Sequence, residues 1–148
     1  MPAAAQAQDK SEALFTSFEG TWTATGNAFA KTAQSEMIWT RDLNGKFFRI
    51  DYKITIPNNP RGNFRGIGYY KMGLDTAPAG FWVDTGGDLH PLASKIKDNA
   101  VTTIWGKAGS KQGRSRYHLR ADGMIEVTDW ILTEKGWHQF NNTVFSKK

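Results

Sequence analysis

Met37-Ile38-Trp39-Thr40-Arg41-Asp42-Leu43-Asn44-Gly45-Lys46-Phe47-Phe48-Arg49-Ile50-Asp51-Tyr52 is the stretch that decides the fold. Asn-Gly is the preferred pair for a two-residue hairpin turn, because both central positions need positive φ. With the turn centred on Asn44-Gly45, Leu43 faces Lys46, Arg41 faces Phe48, Trp39 faces Ile50 and Met37 faces Tyr52. That side of the hairpin is apolar apart from Arg41 and, beside the turn, Lys46. The opposite side sets Glu36 against Lys53 and Thr40 against Arg49, which suits water. A slip of one residue would exchange the two sides, so the pattern specifies the register.

Beyond this hairpin, Asp9 to Phe18 is the one stretch of helical character, with Leu14, Phe15 and Phe18 one turn apart. From Glu19 onward Thr, Val, Ile and aromatic residues alternate with turn signals. These are Asn58-Asn59-Pro60, Pro78-Ala79-Gly80, Gly86-Gly87, Asp122-Gly123 and Lys135-Gly136. Such density implies about ten short strands in an antiparallel meander, which closes on itself to remove its edges. The expected fold is all-β: a single antiparallel up-and-down β-barrel of about ten strands, with one short N-terminal helix.

Further hairpins assign more side chains to faces. A three-residue loop with Gly123 left-handed pairs Leu119 with Ile125, Tyr117 with Val127 and Ser115 with Asp129, and turns Arg116, His118, Arg120 and Glu126 outward. A loop centred on Glu134-Lys135 sets Ile131 against His138 and Asp129 against Phe140, keeping Phe140 and Val144 inside. His138 and Asp129 then become diagonal neighbours. At Gly86-Gly87, Val83 is expected to face His90 and Phe81 to face Leu92.

Composition narrows the function classes. The 148 residues suit one domain, and 13% aromatic content, with six Trp and nine Phe, supplies a core. The chain holds no cysteine, which removes disulfides, thiolate metal sites and a cysteine nucleophile. The net charge is +5, and the basic residues Lys107, Lys111, Arg114, Arg116 and Arg120 read as a solvated strand and loop rather than a phosphate-tracking groove, so no nucleic acid is expected. No apolar run approaches the roughly 20 residues of a membrane span. Pro2-Ala3-Ala4-Ala5-Gln6-Ala7-Gln8 reads either as an Ala-rich disordered tail or as the end of a secretory signal peptide cleaved at Ala5-Gln6-Ala7. Residues 1–10 are accordingly expected as a tail and 11–148 as the barrel, in a periplasmic or secreted protein under the second reading and a cytoplasmic one otherwise.

Gly20-Thr21-Trp22, after Phe18 and at the start of the first strand, resembles the G-x-W signature of the calycin barrels: lipocalins, fatty-acid-binding proteins and nitrobindin-like haem proteins. With Gly68-Tyr69-Tyr70, Phe81-Trp82-Val83-Asp84-Thr85 and the terminal meander, nearly the whole chain is similar to a bacterial calycin-like family of uncharacterised function. The resemblance implies a ligand in the barrel interior. Fatty-acid-binding proteins hold a carboxylate with R-x-Y in the last strand, and Trp137 to Phe145 lacks it. Nitrobindin-like proteins ligate haem through a histidine in the closing strand, where His138 stands. Their longer glycine signature is replaced here by Thr23-Ala24-Thr25-Gly26.

The expected interior set is Trp39, Arg41, Tyr52, Tyr117, Asp129 and His138, joined by His90 and Trp105. Buried polar groups need partners, so this set is either a satisfied core network or a ligand site. The leading expectation is binding of a small apolar or aromatic molecule, including an anionic one held by Arg41, with Trp39, Tyr52, His90 and Trp105 around it. The second is a cofactor-independent lyase or isomerase, in which Asp129 orients His138 as acid or base and Tyr117 donates a proton. The third is haem bound through His138. His90, His118 and His138 show no metal-ligand spacing, no G-x-S-x-G elbow occurs, and Gly109 to Arg114 lacks the order of a phosphate loop. The chain is expected as a monomer or homodimer.

Overall fold

Alternating strands with one apolar face bury that face most fully by closing on themselves, and the chain does so. The structure is a computed structural model describing residues 3–28, 31–60, 62–72 and 79–148, with side-chain surroundings given for these apart from residues 3–9, 27, 28 and 31. Helix α1 (Ala3–Phe18) precedes β1 (Gly20–Ala28), β2 (Lys31–Asp42), β3 (Phe47–Thr55), β4 (Phe64–Lys71) and β5 (Ala79–Asp84). Then come β6 (Leu89–Lys97), β7 (Ala100–Gly106), β8 (Gln112–Leu119), β9 (Ile125–Thr133) and β10 (Gly136–Lys147). Each strand pairs antiparallel with its sequence neighbour, and β1 meets β10 at Trp22 and Lys147 to complete a closed barrel. No helix among the described residues is long and apolar enough to cross a membrane.

The turn chemistry sets the registers as expected at two hairpins. Asn44 and Gly45 both take positive φ (59° and 72°), and Trp39 faces Ile50 with Arg41 facing Phe48. Gly123 is left-handed at φ 85°, and Tyr117 faces Val127 with Ser115 facing Asp129. Ala79 and Gly80 open β5, while Pro78, the first residue of the turn expected there, lies outside the described residues.

Two registers differ from expectation. Between β5 and β6, Trp82 rather than Val83 faces His90, and Gly80 faces Leu92. The Asp84 carboxylate collects the backbone N–H groups of Gly86 and Asp88, which spreads the turn over an odd number of residues and exchanges the faces of β5. Between β9 and β10, Ile131 does face His138, but a bulge between Gln139 and Asn141 places Asn141 opposite Asp129. Past the bulge, Phe145 rather than Val144 is buried in the core.

One end of the barrel is plugged. Phe15 and Phe18, both 0% exposed, project from α1 onto Trp39, Phe48 and Tyr70, with Phe15 stacked 5.2 Å from Phe48 and Phe18 lying 5.1 Å from Trp39. The Trp22 indole donates to the Phe18 carbonyl at 2.8 Å, satisfying the last turn of the helix. The G-x-W triplet thus acts as the joint between helix and barrel. Arg41 fastens the same helix from the rim, donating to Glu12 at 2.9 Å and to Thr16 at 2.6 Å while lying over the Phe48 ring.

Candidate functional site

Above the plug the barrel interior is not filled. A cavity of about 470 Å³ opens toward the end that carries the β5–β6 and β7–β8 turns. Its floor is polar and its walls are aromatic. Tyr52, Tyr70, Thr103, Ser115, Tyr117 and Asp129 form the floor, while Phe64, Trp82, Leu92, Trp105 and His90 form the walls. Asp84, Gly86, Asp88, Lys111, Ile131 and Phe140 surround the mouth.

The two wall tryptophans owe their position to glycines on neighbouring strands. Trp82 lies across Gly66 and Trp105 lies across Gly113, each ring occupying the space where a β-carbon would stand. Glycine in a strand interior ordinarily weakens it, but here it lets a large ring lie flat within the wall. Each indole N–H is also fixed: Trp82 donates to Asp84 at 2.9 Å and Trp105 to Ser115 at 3.2 Å. The His90 ring packs 5.0 Å from Trp105.

Asp129 anchors the floor. Ser115 Oγ donates to its Oδ1 at 2.5 Å and Asn141 Nδ2 to its Oδ2 at 2.8 Å. Desolvation nevertheless dominates, and the Asp129 carboxyl titrates above its ordinary range despite those two bonds. Burial likewise raises the three floor tyrosines, Tyr70 to about 12 with hydrogen bonds to Thr103 and Tyr117 opposing the rise. Tyr52 and Tyr117 move up for the same first reason, with the nearby Asp129 charge adding to it. The hydroxyls therefore stay protonated and available as donors. Thr103 is held in turn by Ser94 at 2.8 Å.

At the mouth, Lys111 Nζ donates to Asp88 at 2.7 Å, and His90 Nε2 lies 3.5 Å from the same carboxylate oxygen. Lys111, the one lysine or arginine of the lining among the described residues, is thus already paired.

Of the residues expected to form the site, Tyr52, His90, Trp105, Tyr117 and Asp129 line the cavity together. Trp39, Arg41 and His138 do not. Trp39 is 0% exposed but sits beneath the floor, 5.7 Å from Tyr70 and 5.3 Å from Tyr117, and its indole N–H has no partner among the described residues. Arg41 leaves the barrel axis to bind α1. His138 stands opposite Ile131 yet is exposed near the β9–β10 turn and takes no part in the lining. An imidazole there neither pairs with Asp129 nor reaches a group inside the cavity. His118 points outward as expected, 3.9 Å from Glu126.

Phe64, Tyr70, Trp82 and Thr103 are among the lining residues that sequence reasoning missed. Tyr70 lies on β4, for which the sequence offers no two-residue hairpin turn to assign its faces. For Trp82 a signal exists, since Gly66 and Gly68 alternate on the strand that pairs with it. Compared with known proteins, the chain matches no protein-family model and no curated sequence.

Proposed function

We propose that this protein binds a small, largely aromatic or apolar molecule inside the barrel, with the molecule's polar end on the tyrosine and aspartate floor. The carrying observation is the cavity of about 470 Å³, walled by Trp82, Trp105 and Phe64 and floored by hydrogen-bonding groups. Cavities of roughly 300–1,000 Å³ with apolar walls and a few convergent polar groups are the usual form of small-molecule sites. A closed barrel joined to a short helix by Gly20-Thr21-Trp22 also agrees with the calycin-like architecture, for which an interior ligand is the general expectation.

The anionic variant of this reading loses its support, because Arg41 is engaged with Glu12 and Thr16 at the plugged end. Acid–base catalysis by Asp129 and His138 and haem ligation by His138 lose theirs in the same way, since the imidazole stays outside the lining.

Titrating the protein with benzyl alcohol, indole, naphthol and linear alkanols while following tryptophan emission tests the proposal. A saturable change is expected for the aromatic probes at concentrations below about 1 mM, a free energy near −4 kcal/mol. If none of the probes produces a saturable change, the proposal fails.

A further inference from the structure

The acidic groups of the cavity are not equivalent. Asp84 is occupied by the Trp82 indole and by the backbone of its own turn. Asp88 is answered by Lys111 and His90. Asp129, at the floor, has only the neutral donors Ser115 and Asn141, and no cation forms an ion pair with it among the described residues. Each of its oxygens accepts one bond and so retains accepting capacity toward the cavity. A desolvated carboxylate without a counter-charge is costly, and the cost disappears when a cation arrives with the right geometry. Aromatic faces attract the same kind of ion, and Trp82, Trp105, Tyr52, Tyr70 and Tyr117 surround this carboxylate.

We propose that the molecule bound here is a protonated aromatic amine, its ammonium group meeting the Asp129 carboxylate and its ring lying against the Trp82 and Trp105 indoles. The inference rests on the cavity-binding reading above and assigns that site a ligand class. The rest of the lining agrees with it. Among the described residues the lining holds no unpaired lysine or arginine to receive a carboxylate, whereas an ammonium group can donate up to three hydrogen bonds into a floor rich in oxygen acceptors.

Binding is linked to protonation. Desolvation raises the Asp129 carboxyl above its ordinary value and an ammonium ion acts against that rise, so wherever the carboxyl is protonated the amine must displace its proton. Affinity for the amine therefore rises with pH through the Asp129 titration, while an uncharged analogue gains nothing from it. The tyrosines facing Asp129 from β3, β4 and β8 stay neutral throughout. His90 and Lys111 line the same cavity nearer the mouth, and any pH dependence that persists without Asp129 belongs to them.

Isothermal titration with 2-phenylethylamine, 2-phenylethanol and 3-phenylpropionate, at about pH 5 and about pH 8, tests the inference; the amine carries its charge at both values, as a lysine side chain does. At the higher pH the amine should bind at least about tenfold tighter than the alcohol, with the carboxylate weakest, the size expected of one desolvated charge pair. In Asp129→Asn the amine-to-alcohol affinity ratio should fall to about one. An alcohol that binds as tightly as the amine to the unaltered protein overturns the inference and leaves cavity binding standing, and this comparison needs no variant to fold. Persistence of the amine preference in a folded Asp129→Asn protein overturns it as well. Failure of all three probes to bind removes the cavity reading itself.

Discussion

Replacing Gly113 by alanine would place a methyl group on the benzene ring of Trp105, well inside van der Waals contact. The ring has little room to yield, because its N–H is bonded to Ser115 and its other side meets His90. Overpacking of this kind costs about 1–3 kcal/mol. Loss of the Trp105–Ser115 bond adds about 0.5–1.5 kcal/mol. A total of about 2–4 kcal/mol converts, at about 2–4 °C per kcal/mol for a chain of this size, into a fall in Tm of about 5–15 °C. Thermal unfolding read by circular dichroism measures the loss, and the Trp105 indole resonance reports displacement of the ring. Gly26→Ala serves as the control, since nothing lies within 4 Å of its added β-carbon, and should stay within about 0.5 kcal/mol of the parent. If Gly113→Ala melts within about 2 °C of the parent with an unmoved Trp105 resonance, the glycine–tryptophan account of the cavity wall is wrong.

Phe15→Ala removes the ring that stacks on Phe48 and meets Trp39 and Tyr70, and should cost about 3–5 kcal/mol in urea unfolding with little change in m-value. Asp51 accepts two bonds from Arg65 at 3.0 and 2.7 Å, which hold its carboxyl below the ordinary value of 3.8. Its contribution is therefore present above about pH 4 and is lost as the pH falls through the depressed value. With Arg65 partly in solvent, Asp51→Asn should cost about 1 kcal/mol at pH 7 and nothing in strong acid, as read by denaturation across a pH series. Asp129 has the opposite sign: its raised value means that the folded state favours the proton, so stability is full below about pH 4 and declines as the pH rises through that value. Asp129→Asn should accordingly be more stable than the parent at neutral pH and lose that advantage in acid, and equal or lower stability at neutral pH would refute the desolvation argument.

Where a turn carries its own stereochemical signature, the fold was legible. Asn44, Gly45 and Gly123 take positive φ, and the turns built on them put Trp39 opposite Ile50 and Ser115 opposite Asp129. Gly86-Gly87 misleads because the Asp84 side chain, not the glycine pair, sets the length of its turn. The bulge before Asn141 is invisible to a period-two pattern, and it decides that an amide rather than Phe140 stands beside Asp129. A deeper limit concerns height. Strand alternation says whether a side chain faces the barrel axis but not how far along the axis it lies. Trp39, Arg41 and His138 were all assigned by alternation, yet the first sits under the floor, the second on the helix at the plugged end and the third near the opposite rim. Helix α1 is the element that converts an inward position into core at one end and leaves a cavity at the other.

The six tryptophans provide a direct reading of where a ligand sits. Trp82 and Trp105 line the cavity, Trp39 and Trp22 lie in the core toward the plugged end, and Trp130 and Trp137 stack with Arg114 on the barrel exterior. Two-dimensional NMR of the indole N–H groups, recorded while 2-phenylethylamine or 2-phenylethanol is added, follows all of them at once. Interior binding predicts saturable shifts at Trp82 and Trp105, a smaller response at Trp39, and none at Trp130 and Trp137. Shifts confined to Trp130 and Trp137, or no saturable shift at any indole, would contradict it.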